Sequence, residues 1–215
     1  MLAPAQNRPI YHITHIRNLS DILTSRALLC ESAVAQQGVS YTDIGMPGIK
    51  DRRRRTVVSC HPGGTPCDYV PFYFGPRSPM LYSIYRGNVP SYQEGQDPVV
   101  YLVTTLASVR ATGRTAVFTE GNAGAAFVDF HADDASLLEK TIDWDLMKER
   151  YWFDTPDDPA RANRRQAEYL VHGSVPSEAI QNIVVRTEAR AEQAREVIAK
   201  FGIDLPVVVY NGWYY

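Results

Sequence analysis

Asp68-Tyr69-Val70-Pro71-Phe72-Tyr73-Phe74-Gly75-Pro76-Arg77-Ser78-Pro79-Met80-Leu81-Tyr82 is the stretch on which the fold turns. Tyr69 to Phe74 reads as an aromatic strand, because aromatic and β-branched side chains suit a pleated, half-buried surface. Pro71 cannot donate to a ladder, which predicts an edge position or a bulge. Gly75, Pro76 and Pro79 punctuate the chain, and residues 79–85 can form a helix. A strand passing through a tight turn into a short helix is one unit of a mixed architecture.

On the N-terminal side, Ile10 to Ile16 alternates apolar and polar residues at strand periodicity. His12 shares a face with Thr14, and His15 takes the other face, so a metal site from this pair is not supported. His12 reads either as a satisfied core histidine or as a group that hydrogen-bonds a ligand. Asn18 or Ser20 can cap a helix with Leu19, Ile22 and Leu23 inward, ending near Leu28. Residues 31–68 hold five glycines and few clustered large apolar side chains, the composition of a binding loop or a disordered one.

Within that segment lies Arg52-Arg53-Arg54-Arg55. Four adjacent guanidinium groups cannot all be buried. They read either as a solvated charge run or as phosphate recognition, since the guanidinium fork matches phosphate oxygens. Cys60, His61 and Cys67 lack the paired spacing of a zinc site, and no metal is read.

On the C-terminal side, residues 99–103 and 116–118 read as strands and 144–151 as a helix. Residues 154–159 form a loop by their turn residues, and Glu168 opens the strand that runs to Val171. A glutamate there reads as solvated or as a carboxylate exposed in a cleft, and its truncation predicts little cavity. Residues 183–185, 188–201 and 206–210 are strand, helix and strand, with Gly202 as helix C-cap. Many short strands with few helices predict a single α+β domain over 1–215.

Composition sets outer bounds. At 215 residues the chain can bury one sizeable core, and 45% apolar with 21% charged residues argues against a disordered regulator. A formal net charge of −2 means that any nucleic-acid site must come from local charge asymmetry. Three cysteines do not make a disulfide framework and fit a reducing compartment. Residues 1–10 show no signal-peptide stretch, and a cytoplasmic protein without membrane contact is the reading.

Four segments together resemble the DarT-type DNA ADP-ribosyltransferase toxins: residues 11–15, 52–55, 68–82 and 166–171, with Trp213-Tyr214-Tyr215 in agreement. The resemblance implies an ADP-ribosyltransferase-like split antiparallel β-sheet with flanking helices. It implies NAD as co-substrate and transfer to thymidine in single-stranded DNA, with a guanosine-directed branch as the alternative. Carried over, NAD contacts fall on His12, Ile13, Thr14, Asp21, Leu29, Arg53 and Tyr73. This chain departs from the family at Asp21, where a small residue is expected. The catalytic glutamate matches Glu168, and the catalytic arginine matches Arg53. Arg77, Met80 and Tyr82 are the residues expected to line the DNA channel. A macrodomain antitoxin that removes the mark is the implied partner. The rival reading, a binding module for single-stranded nucleic acid, needs neither Glu168 nor His12.

Overall fold

The computed structural model describes residues 7–215. The first six residues, part of the segment read as lacking a signal peptide, lie outside the described residues. The strands are β1 (Pro9–His15), β2 (Ala27–Leu29), β3 (Tyr69–Tyr73), β4 (Val99–Thr105), β5 (Ala116–Thr119), β6 (Phe130–Ala132), β7 (Glu168–His172), β8 (Ser174–Pro176), β9 (Asn182–Val185) and β10 (Val207–Val209). The helices are α1 (Leu19–Thr24), α2 (Glu31–Gln37), α3 (Pro47–Arg53), α4 (Pro79–Tyr85), α5 (Leu106–Ala111), α6 (Ala135–Thr141), α7 (Trp144–Lys148), α8 (Arg161–Arg164) and α9 (Glu188–Ala199).

Eight strands form one sheet in the order β10-β9-β4-β1-β3-β7-β5-β6. All neighbours are antiparallel except β9 and β10, which α9 joins as a parallel pair. β2 and β8 form a separate antiparallel ribbon. The sheet carries apolar side chains on both faces. Val100 and Leu102 of β4 pack with Ala191, Ala194 and Ile198 of α9. Val99, Tyr101 and Val103 of the same strand pack with Leu81 and Ile84 of α4 and with Tyr214. The near-continuous apolar run at residues 99–103 follows from burial on both faces.

The expected split is present between β1 and β3. β1 pairs with β4 along its whole length, yet meets β3 only at Tyr11 and Tyr73. Pro71 accounts for much of this. Its carbonyl points toward β1, where it accepts a hydrogen bond from the His12 ring Nδ1 at 2.8 Å. The backbone nitrogen of a strand residue points to the same side as its carbonyl. Pro71 therefore offers no donor on the side that faces β1, and the strands part there.

Four readings need correction. β3 is an internal strand, not an edge, because Pro71 breaks only the ladder toward β1 while β3 pairs fully with β7. α1 stops at Thr24, and residues 27–29 turn into β2 because β8 offers them a ladder. Residues 31–68 are not a structureless loop, since α2 and α3 occupy them. The helix opening at Trp144 ends at Lys148.

Candidate active site

The parting of β1 and β3 opens a cleft of about 440 Å³. That volume suits a small organic ligand or part of a dinucleotide. Its walls come from β1, α1, β2, α3, β3, α4 and the start of β7. His12, Ile13, Thr14, Asp21, Leu29, Arg53, Tyr73, Met80 and Glu168 all line it.

Helical periodicity sorts the arginine run. Met46, Ile49, Lys50 and Arg53 lie at spacings of three and four, so one face of α3 and its N-cap looks into the cleft. Arg53 alone of the four arginines turns inward, while Arg52, Arg54 and Arg55 are exposed. Arg53 donates from one terminal nitrogen to Glu168 Oε2 at 2.7 Å and from the other to the Pro66 carbonyl at 3.4 Å. Burial works against the Arg53 charge, but Glu168 beside it more than restores it, and the guanidinium titrates above its ordinary range.

Glu168 is 2% exposed, so the solvated reading fails. Its second oxygen, Oε1, accepts from the backbone N–H of Ala123 at 2.9 Å. The carboxylate is thus clamped between a helix from one side and the 121–127 loop from the other. The register places Tyr73 directly opposite Glu168. Burial, and then the Glu168 charge, push the Tyr73 phenol far above its usual range, so it stays a donor. Asp21, Glu31 and Asp43 are the other carboxylates on the cleft wall. Glu31 is tied to Arg54 and Asp43 to Lys50, and Asp21 is exposed.

His12 is half-buried, and desolvation lowers its pKa to about 4. The ring is therefore neutral at pH 7. A carbonyl can only accept, so the proton sits on Nδ1 and bonds to Pro71. Nε2 is left as an acceptor on the cleft side. His12 bridges the parted strands.

The three residues expected along a DNA channel divide. Met80 lines the cleft. Tyr82 is half-buried outside the cleft wall, packed edge-on against Trp152, Phe153 and Tyr215. Arg77 is a correction: it is buried, its guanidinium donates to the Tyr214 carbonyl and lies 4.0 Å over the Tyr215 ring. It anchors the residues at 213–215 and presents no charge to the cleft. The sequence reading also missed Ala123, Asn122, Gln166 and Lys50. A signal for the first two was available in Gly121-Asn122-Ala123-Gly124. A Cβ at Gly124 would sit 3.1 Å from Arg53 Cγ, so a glycine there permits the loop to close on α3.

The family model described as "ssDNA thymidine ADP-ribosyltransferase, DarT" matches residues 11–215. This chain belongs to the DarT family. By that membership it is an enzyme, an ADP-ribosyltransferase acting on DNA. A DarT-family protein of Thermus sp. (strain 2.9), named DNA ADP-ribosyl transferase, is 36% identical over 211 residues, covering 96% of either chain. The structure of Thermus sp. 2.9 DarT with ADP-ribosylated single-stranded DNA superposes with a TM-score of 0.90 at 34% identity, covering 100% of this chain and 99% of that one. The same DarT with NAD+ superposes at 0.86, again at 34% identity, with both chains fully covered. Among the described residues no group of three metal-ligating side chains comes together, and no helix is long and apolar enough to cross a membrane.

Proposed function

We propose that this protein transfers ADP-ribose from NAD to thymidine in single-stranded DNA, with Glu168 and Arg53 as its catalytic pair. The observation that carries the reading is the buried Arg53–Glu168 ion pair on the wall of a nucleotide-sized cleft. A structural ion pair is more often exposed and needs no cavity beside it. The Thermus relative solved with NAD+ and with ADP-ribosylated single-stranded DNA supports the choice of donor and acceptor.

The residues divide the work as follows. His12 Nε2 accepts from a hydroxyl of NAD, and Ile13, Thr14 and Leu29 supply shape, while Asp21 sits at the rim. The bond from ribose C1′ to the nicotinamide nitrogen breaks, and its electron pair neutralises the pyridinium. Positive charge grows on the ribose as it does so, and the Glu168 carboxylate stabilises that charge where it develops. The thymine imide nitrogen then bonds to C1′. Its proton must leave, and Arg53 cannot take it, because a guanidinium held above its ordinary range is no base. Glu168 receives the proton, directly or through water, and Arg53 supports the developing negative charge on a thymine carbonyl. Tyr73 donates across from Glu168, and Met80 offers an apolar contact for the thymine methyl group.

By the family likeness we read the protein as the toxin of a toxin–antitoxin pair, acting in the cytoplasm and countered by a macrodomain protein that removes the mark. The decisive measurement is NAD consumption with single-stranded oligonucleotides in which each thymidine is replaced in turn, read by mass shift. One ADP-ribose added per target thymidine, and none on the matching duplex, is expected. Labelling that follows guanosine, or NAD left intact with every strand, overturns the reading.

A further inference from the structure

A second hollow lies on the other side of α3 from the cleft. It has a volume of about 440 Å³, and Arg52, Arg55, Val57, Gly124, Ala126 and Val128 are among its lining. Among the described residues no carboxylate lines it. Among the described residues the Arg55 side chain makes no hydrogen bond and no ion pair, and Arg52 is held only through Nε, by the Gly124 carbonyl at 3.2 Å. Both arginines therefore keep their terminal nitrogens free. Phe127, flanked in sequence by two lining residues, is fully exposed, and Val57 is 72% exposed. A phenylalanine held wholly in water, between two residues that line a hollow with free guanidinium nitrogens, is an unusual surface. The combination is complementary to one chemistry, a flat base joined to a phosphate.

The hollow and the reacting centre are built from the same two segments. Arg52 precedes Arg53, and Gly124 follows Ala123, whose N–H holds Glu168. We propose that this hollow takes a nucleotide of the substrate strand next to the target base, with its phosphate on Arg52 and Arg55 and its base against Phe127. The proposal rests on the single-stranded DNA reading above. It gives the strand a path over the outer face of α3 and the 121–127 loop, and it makes Arg55 and Phe127 determinants of affinity without a part in the chemistry.

The test is fluorescence anisotropy with a 5′-labelled, thymidine-containing single strand and no NAD, on the wild type, Arg55→Gln, Phe127→Ala and the double variant. Both side chains are exposed and unpaired, so the fold should be unaffected. The double variant is expected to bind about tenfold more weakly. Its dependence of log affinity on log salt should be shallower by about 0.7, the loss of one single-strand phosphate contact. The rate at saturating strand should match the wild type, since Arg53 and Glu168 are untouched. Wild-type affinity and salt dependence in the double variant overturn the proposal. Titration with deoxyadenosine monophosphate separates the sources. Loss of that nucleotide's binding with strand binding unchanged makes the hollow a free-nucleotide site, and the strand assignment fails. Because binding is read without NAD, a wild type that labels no thymidine would sink the functional reading and leave this result standing.

Discussion

At the scale of single residues, the pairing of Glu168 with Arg53 makes two substitutions behave differently. Glu168→Ala leaves a buried guanidinium without its partner and should destabilise the fold by about 3 kcal/mol or more. Glu168→Gln keeps the shape, but its single carbonyl oxygen can accept from only one of the Ala123 N–H and Arg53, so its urea midpoint should fall, though by less than that of Glu168→Ala. Transfer should fall at least about a hundredfold in both, because the charge facing the ribose is gone. A Glu168→Gln variant that labels oligonucleotide at the wild-type rate would remove the residue from catalysis. His12 gives a pH prediction. Its folded pKa of about 4 lies below the ordinary value of 6.5. Between those values the unfolded chain holds a proton that the folded chain does not, so stability rises with pH across that window. The contribution is complete above pH 6.5 and is lost as pH falls toward 4. His12→Ala should flatten this part of the stability–pH curve, and calorimetry should show weaker NAD binding. An unchanged slope between pH 4 and 6.5 would mean that His12 does not carry it.

At the scale of elements, the Arg53–Glu168 pair is enclosed where α3 and the 121–127 loop approach closely. Gly124→Ala tests this contact. The added methyl would lie 3.1 Å from Arg53 Cγ and from Asn122 Oδ1, and 3.4 Å from the Ile49 carbonyl. Those neighbours must give by a few tenths of an ångström, which moves Arg53 relative to Glu168. We expect kcat to drop several-fold while the melting temperature falls by only a few degrees, since the neighbours need to give by only a few tenths of an ångström. A lowered melting temperature with full kcat would show that the approach is structural only. The same contact marks the limit of what the amino-acid pattern reveals. β1 and α9 were legible because their apolar residues follow a clear period, and β4 and β7 because each is an apolar run of strand length. Pro71 was legible as a broken ladder but not as the cause of the split, because which neighbour lies on its donor side depends on the whole sheet. The run at 52–55 was ambiguous for a related reason. Only the rotation of α3 selects Arg53 as the inward residue. The residues around Glu168 left it between a solvated and a cleft reading, because its two partners, Arg53 and Ala123, come from segments 115 and 45 residues away.

At the scale of the whole molecule, residues 213–215 act as a strap across the sheet. Tyr214 is 2% exposed, and its hydroxyl donates to the Val99 or Val184 carbonyl on two adjacent strands, 2.9 and 3.2 Å away. Trp213 packs edge-on against Tyr11 of β1 and Tyr101 of β4. The Tyr215 hydroxyl donates to the Arg77 carbonyl at 2.7 Å and accepts from the Trp152 indole at 2.7 Å. The strap thereby joins the sheet, the turn before α4 and the 149–160 segment. Arg77 depends on it most. Its φ of 57° is a left-handed conformation that costs a non-glycine residue about 1 kcal/mol or more, and its buried guanidinium relies on the Tyr214 carbonyl and the Tyr215 ring. Removing residues 213–215 should therefore do more than subtract apolar area. It leaves an unpaired charge beneath α4, next to the residues that line the cleft. We expect a loss of about 5 kcal/mol or more, from one buried aromatic side chain and one stranded guanidinium. Tyr214→Phe keeps the packing and deletes only the hydroxyl, and should cost about 1 kcal/mol. Chemical denaturation of the two variants separates these contributions. If the truncated chain unfolds at the wild-type midpoint, the strap is not a structural element and Arg77 must be held by something else.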